Sequence, residues 1–389
     1  MKKYKVLKNK EISREIMVGN IGIGGNNPVR VQTMLNTDIL DVKSTVLQAE
    51  RCVKVGSELI RVSTQTVKHV RKIKELKEGL MKKGINVPII ADIHYLPEAA
   101  FEALDYADKV RLNPGNFVDK KILKLKEYSD KDYKKELKIV EDNLLPFINK
   151  VKQKNIPLRI GTNHGSLSDR IMSRYGNTAG GMVESVMEYL RIFKKNDFNE
   201  IVVALKSSDP LIMIEANRML VDRMEFEKMD YPIHLGVTEA GNAGDGRAKS
   251  IIGIGSLILD GIGDTIRVSL TEPPENEIPV CYSILQATRR RITKTEFISC
   301  PGCGRTLFDI EKVTNMIKKK LSNFPGVRIA VMGCVVNGLG EMGDADFAYI
   351  GGKPGMINLY YKQKLVKRDI PENEGLEELI KVVKKYKEN

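Results

Sequence analysis

The chain has 389 residues, 42% of them apolar and 29% charged, with 63 Lys and Arg against 50 Asp and Glu for a formal net charge of +13. That length exceeds what one hydrophobic core keeps absorbing, so two domains are expected, large enough to do without disulfide staples. No apolar run reaches bilayer-spanning length and Met1-Lys-Lys-Tyr-Lys5 lacks the apolar centre of a secretory signal, which excludes the membrane and points to the cytoplasm, where cysteines stay reduced and free for metal.

The excess positive charge has two natural partners, nucleic acid or a small acidic molecule, and the placement of the lysines separates them. They are dispersed over helical faces such as Lys68 to Lys83 and Lys318 to Lys320, with a rich end at Lys381 to Lys387, and the chain has no tryptophan. A nucleic-acid surface would need a stripe of charge and aromatic platforms for bases. Neither is present in this pattern, so the expectation is no nucleic acid.

Near the start, Val18-Gly-Asn-Ile-Gly-Ile-Gly-Gly25 is rich in glycine, yet Pro28 and a new apolar run follow at once. It lacks the strand, turn and helix order of a dinucleotide fingerprint and reads as a hairpin or cap. From Pro28 to Leu270 a unit recurs about every thirty residues: a β-branched run, a polar turn, a helical pattern. The runs are Val29-Arg-Val-Gln-Thr33, Glu58-Leu-Ile-Arg-Val62, Val87-Pro-Ile-Ile-Ala91, Lys109-Val-Arg-Leu112, Pro157-Leu-Arg-Ile160, Glu200-Ile-Val-Val-Ala204, Ile233-His-Leu-Gly-Val237 and Asp264-Thr-Ile-Arg-Val268. Between them, apolar residues at three and four spacing predict helices over 41–55, 67–83, 137–152, 181–195 and 210–229. The lysine-rich stretch 120–135 reads as a surface loop or helix extension. Eight such units in an α/β chain predict a (β/α)8 TIM barrel, with a doubly wound open sheet as the alternative.

A barrel places its chemistry where strands end. Found there are Arg61, Asp92, His94, Arg111, Asn113, Arg159, Asn163, His164, Lys206, Glu239, Arg267 and Ser269. A lone arginine at such a place is usually a salt-bridge partner. Five cations at equivalent positions repel one another without a counter-anion, and guanidinium forks suit phosphate. The glycine-rich Gly236 to Arg247 segment would let backbone N-H groups approach an anion at a helix start, and Glu239 within it is a candidate acid or base, or simply a neutralising partner. His94 and His164 read equally as rim hydrogen-bonders or substrate contacts. His69 and His234 read as structural, and Cys52 and Cys281 as buried small hydrophobes.

The basic cluster Arg289-Arg-Arg291 marks the border between a first domain, 1–291, and a second, 292–389, with α+β patterning: a strand leading into Cys300, a helix over 309–321, strands over 327–332, 347–350 and 356–361, and a closing helix over 374–386. Cys300-Pro-Gly-Cys303, a gap of thirty residues, and Cys334-Val-Val-Asn-Gly-Leu-Gly-Glu341 form a metal-ligand pattern. CxxC spacing serves zinc and iron-sulfur alike. Structural zinc is closed by four Cys or His ligands, yet no histidine lies beyond His234, and Glu341, after a glycine-rich bend, is the acid best placed as fourth ligand. A carboxylate on a soft cluster is displaceable, which suits an iron that must accept substrate.

Ala91-Asp-Ile-His94, Arg111-Leu-Asn-Pro-Gly-Asn116, Gly161-Thr-Asn-His-Gly-Ser166, Gly236-Val-Thr-Glu-Ala-Gly241, Gly263-Asp-Thr-Ile-Arg-Val-Ser269, Cys300-Pro-Gly-Cys-Gly-Arg-Thr306 and the Cys334 to Glu341 string together resemble the 4-hydroxy-3-methylbut-2-enyl diphosphate synthases of the methylerythritol phosphate route to isoprenoids. The resemblance spans nearly the whole chain. It implies a TIM-barrel substrate domain followed by an iron-sulfur domain with a [4Fe-4S] cluster on Cys300, Cys303, Cys334 and Glu341. It also implies reductive opening of 2-C-methyl-D-erythritol 2,4-cyclodiphosphate, with loss of water and two electrons from reduced flavodoxin or ferredoxin. Arg61, His94, Arg111, Arg159, Lys206, Arg267 and Ser269 would hold the diphosphate, Asn163 would line the site, and Glu239 would be the catalytic acid or base. A homodimer in which each cluster domain caps the partner's barrel is expected. Leu339 stands where the family usually shows proline.

Overall fold

The computed structural model of the protein describes residues 10, 12–118 and 128–387, and the chain divides into two units, Met1–Arg291 and Ile292–Asn389. The glycine-rich opening is a hairpin: β1 (Ile16–Val18) pairs antiparallel with β2 (Ile21–Ile23), Ile16 opposite Ile23. Gly19 turns the chain with φ +56, a conformation glycine adopts without penalty.

Eight parallel strands follow: β3 (Arg30–Met34), β4 (Leu59–Ser63), β5 (Ile89–Asp92), β6 (Lys109–Leu112), β7 (Leu158–Asn163), β8 (Ile201–Lys206), β9 (His234–Leu235) and β10 (Thr265–Ile266). They pair in the order β8-β7-β6-β5-β4-β3-β10-β9. A parallel bridge between Val203 and Ile233 joins the two ends, so the sheet closes into the expected barrel. Alternation sorts each strand. Ile60, Val62, Ile89, Val110, Leu158 and Val203 face outward into the main core beneath the helices. At the N-terminal ends of the strands, Leu59, Ile90 and Val202 face inward and pack on Ile16, Val18 and Ile23, so the hairpin closes the barrel floor.

The helices begin where side chains can take up the free N-H groups of a first turn. Asp41 caps Val42–Lys54, Ser129 caps Asp130–Lys154, Thr178 caps Ala179–Lys195 and Asp209 caps Pro210–Phe226. Of the stretch 120–135, residues 120–127 lie outside the described residues, and 130–135 open a helix, starting seven residues ahead of the expected 137.

In the second unit, β11 (Glu296–Ser299), β12 (Arg328–Met332), β13 (Phe347–Lys353), β14 (Met356–Tyr361) and β15 (Lys364–Pro371) form one sheet in chain order. The first three are parallel and the last two antiparallel. Helices Ile310–Leu321 and Glu372–Lys387 bury Ile317, Leu321, Leu379 and Val383 against Ile329, Val331, Tyr349 and Leu359 on one face. The other face carries Ala330, Met332, Ala348 and Ile350 with Met342. Two features differ from the sequence expectation: β15 is a full strand, and the glycine-rich bend before Glu341 is a helix, Val335–Glu341. Among the described residues, no helix is long and apolar enough to cross a membrane.

Candidate active site

Strand register gathers the inward-facing charges. Asp92, Arg111 and Arg159 are consecutive partners across β5, β6 and β7, so they share the inner face. Asp92, 2% exposed, is the hub. Its carboxylate accepts from Arg111 Nη1 at 3.3 Å and lies 3.1 Å from His94 Nε2 and 3.9 Å from Arg61 Nε. Burial alone would raise its pKa, but the charges of Arg61 and Arg111 and the His94 hydrogen bond outweigh it and hold the carboxyl well below the usual range.

The cations outnumber this acid. Arg159, 2% exposed, has Nε and Nη1 buried without a hydrogen-bond partner among the described residues, and Arg111 Nε is in the same state. Arg61 turns Nε and Nη2 to the Met34 thioether at 3.2 and 2.8 Å, a weak acceptor for a guanidinium. Burial pushes Arg61 down to about 10. Burial first, then the neighbouring arginines, push Arg159 and Lys206 well below their ordinary values. Arg267 stands 3.6 Å from Glu277, whose own carboxyl is raised by burial. Two glycines make room for these groups: a Cβ on Gly161 would lie 3.4 Å from Nε of both Arg111 and Arg159, and one on Gly236 would lie 2.7 Å from Lys206 Nζ. The five cations Arg61, Arg111, Arg159, Lys206 and Arg267 are thus within electrostatic reach of one another inside the barrel.

The rim residues are arranged less uniformly. Asn113 donates to Ser166 Oγ at 3.0 Å, and the backbone N-H of Asn163 donates to the same oxygen at 3.2 Å, so hydrogen bonds tie together the segments that follow β6 and β7. His164 Nε2 lies 2.9 Å from the Asn177 carbonyl oxygen, which favours the rim hydrogen-bonding role for that residue. Ser269 is half-buried beyond β10. Glu239 is exposed in the loop after β9, its backbone held at φ +53. The helix start expected to face an anion is engaged otherwise: Ala243 N-H donates to Glu272 at 3.1 Å, and Arg247 Nη2 reaches the same carboxylate at 2.7 Å.

Lys109, fully buried in the barrel, is not among the sequence candidates. Its place two residues before Arg111 puts it on the same inner face, so strand alternation was the signal that could have found it. His69, in a helix, has its Nδ1 2.7 Å from Thr66 Oγ1, and His234 is buried in β9 beside Thr265, the places expected for them from the sequence. Cys52 and Cys281 are buried, and burial pushes both thiols up to about 12.

In the second unit, Cys300 directly follows β11 and Cys334 stands two residues after β12. The strands are parallel neighbours, so both thiols lie at one end of the sheet. Gly333 N-H points at Cys300 Sγ, 3.3 Å away, and the exposed Cys303 is held by Thr306, whose hydroxyl accepts from Cys303 N-H at 2.9 Å. Glu341 lies at the far end of the Val335–Glu341 helix, roughly 10 Å along its axis from Cys334 at 1.5 Å per residue. Among the described residues, no three His, Cys, Asp or Glu side chains are gathered closely enough to hold a metal. The chemistry of the donors still fits an iron-sulfur group: three free thiols, one with a backbone N-H aimed at its sulfur.

A closed parallel barrel with five cations in its interior, followed by an α+β unit with Cys300 and Cys334 at one sheet end, defines a two-part TIM-barrel enzyme. Residues 13–282 match the GcpE TIM-barrel domain and 296–385 the GcpE protein C-terminal domain. The chain is 46% identical to 4-hydroxy-3-methylbut-2-en-1-yl diphosphate synthase (ferredoxin) of Prochlorococcus marinus subsp. pastoris, over 98% of this chain and 95% of that one. It is 45% identical to the protein so described from Parasynechococcus marenigrum, over 98% and 96%. It is 46% identical to that from Gloeothece citriformis, over 96% and 92%. The chain belongs to the GcpE family, the 4-hydroxy-3-methylbut-2-en-1-yl diphosphate synthases of isoprenoid biosynthesis.

Proposed function

We propose that the protein converts 2-C-methyl-D-erythritol 2,4-cyclodiphosphate to 4-hydroxy-3-methylbut-2-enyl diphosphate, taking up two electrons, opening the ring and releasing water. The observation that carries the substrate side is the set of buried guanidinium nitrogens without partners on Arg111 and Arg159. A diphosphate supplies the acceptors these donors lack, and Arg61, Lys206, Arg267, Ser269 and His94 complete its enclosure. Asp92 steadies Arg111 and His94 without cancelling the site's charge. As the ring opens, the diphosphate gains charge as a leaving group, and donors already in place stabilise that charge without reorganising. Asn163 lines the site at the end of β7. Glu239 has the exposure to deliver the proton that lets a hydroxyl leave as water.

Cys300, Cys303, Cys334 and Glu341 would hold a [4Fe-4S] cluster, which when bound supplies the electrons and a Lewis-acid corner for an oxygen of the substrate. The donor we propose is ferredoxin, in keeping with the relatives' description, with flavodoxin as the alternative. The setting is the reducing cytoplasm, consistent with five free thiols. We further propose a homodimer in which the cluster unit of one subunit serves the barrel of the other. Mixing Glu239→Gln protein with Cys334→Ser protein should then restore activity that neither has alone, and absence of rescue removes the arrangement.

Anaerobically purified protein should be brown, contain iron and turn over the cyclic diphosphate with a chemical reductant. Iron-loaded protein that leaves the cyclic diphosphate unchanged overturns the proposal, as does a colourless protein that carries only zinc.

A further inference from the structure

Below the arginines lies a second level of polar atoms that the proposed chemistry does not use. Lys109 is 0% exposed and its Nζ has no hydrogen-bond partner among the described residues. His234 Nε2 and both amide atoms of Gln32 are equally buried and unpartnered. Lys109 pairs in register with Ile90, one of the inward residues that pack on the hairpin. A leucine or valine would fill that position as Leu59 and Val202 fill theirs, at no electrostatic cost. A buried lysine without a carboxylate costs several kcal/mol when charged and settles by losing its proton.

We propose that Lys109 is a further residue of the anion site, uncharged in the free protein, that takes up a proton and becomes a buried cation when the diphosphate binds. This rests on the reading that a diphosphate occupies the barrel. The groups facing Lys109 are Arg61 from β4, Arg159 from β7 and His234 from β9, with Arg111 two residues on in its own strand. Lys206 and Arg267 stand beyond them on β8 and β10. The acids near this ring are Asp92, already engaged by Arg61, Arg111 and His94, and Glu277, which stands against Arg267. Burial and the Arg159 and Arg61 charges thus disfavour the ammonium in the free protein. A bound polyanion reverses the sign of that field, and the proton comes from solvent. Buried water would also satisfy the orphaned atoms, but water binding takes up no proton.

The test is calorimetric titration of the full-length, anaerobically purified protein with the cyclic diphosphate near pH 8, in two buffers of different ionisation enthalpy. Wild-type protein should take up protons on binding. Lys109→Met should take up about one fewer and bind about tenfold more weakly. Without ligand Lys109→Met should melt higher than wild type, because an unpartnered amine has been replaced by an apolar chain of similar length, and its ligand-induced rise in melting temperature should be smaller. Lys109→Gln gives the same proton count should the methionine variant misfold. Equal proton uptake in wild type and variant overturns the role of Lys109 alone. Failure of wild-type protein to bind the cyclic diphosphate overturns the diphosphate site, and this inference with it.

Discussion

Asp92→Asn is the most searching perturbation of the barrel interior, because it removes one charge and almost no volume. Asp92 is 2% exposed and is reached by Arg111 at 3.3 Å, His94 at 3.1 Å and Arg61 at 3.9 Å. Removing one member of a buried pair leaves the other uncompensated, at a cost of about 3–5 kcal/mol. At roughly 2–4 °C per kcal/mol for a domain of this size, the melting temperature should fall by roughly 6–20 °C. The carboxyl's folded pKa is depressed, so its contribution is complete above about pH 4, the unfolded value, and is lost as pH falls toward the folded one. The gap between variant and wild type should therefore be full at pH 7 and shrink in acid. Inorganic pyrophosphate at a hundred times its Kd stabilises a binding protein by about 2.7 kcal/mol, and the variant, short of one negative charge, should gain more than wild type does. Scanning calorimetry with and without pyrophosphate measures all of this. An Asp92→Asn protein that melts within about 2 °C of wild type at pH 7 would refute the view that the arginines depend on this carboxylate.

Cys303→Ser and Cys334→Ser should each lose most of the iron bound by anaerobically purified protein, while Cys281→Ala, which alters a thiol buried in the first unit, should keep it; iron analysis per chain decides. Gly236→Ala would place a Cβ 2.6 Å from the Arg267 carbonyl oxygen and 2.7 Å from Lys206 Nζ. The strain should cost about 1–3 kcal/mol of stability, and the displaced amine should raise KM for the cyclic diphosphate while iron content stays unchanged. A normal KM would show that Lys206 does not contact the substrate.

The eight strands were legible because β-branched runs recurred at a regular period, and closure followed from their number. Their lengths were less so: the five-residue runs at Ile233 and Asp264 yield only two ladder residues each, His234–Leu235 and Thr265–Ile266, before the chain turns into the rim. Helices Pro97–Ala103 and Asp169–Tyr175 were not anticipated, because seven residues hold too few apolar positions to show a period. β15 escaped notice for a different reason. As an edge strand it has a neighbour on one side only, and Lys364 to Asp369 are mostly exposed, so its sequence does not alternate. The convergence of Arg61, Arg111, Arg159, Lys206 and Arg267 could be read from strand ends alone. Lys109 was legible only through strand alternation from Arg111, because one level further down a lysine looks like the start of a strand rather than part of its interior. The place of Glu341 was also hidden, because Gly338 and Gly340 suggested a bend where the backbone completes a helix.

The hairpin of Ile16–Val18 and Ile21–Ile23 gives the barrel a single door. With the bottom stoppered by aliphatic side chains, an ion has no way through from below. Whatever enters past the arginines must back out past them. On the proposed diphosphate site, a product that is still a diphosphate would leave against the same attraction that drew the substrate in, and each turnover would end with the pocket holding a competitor for its next guest.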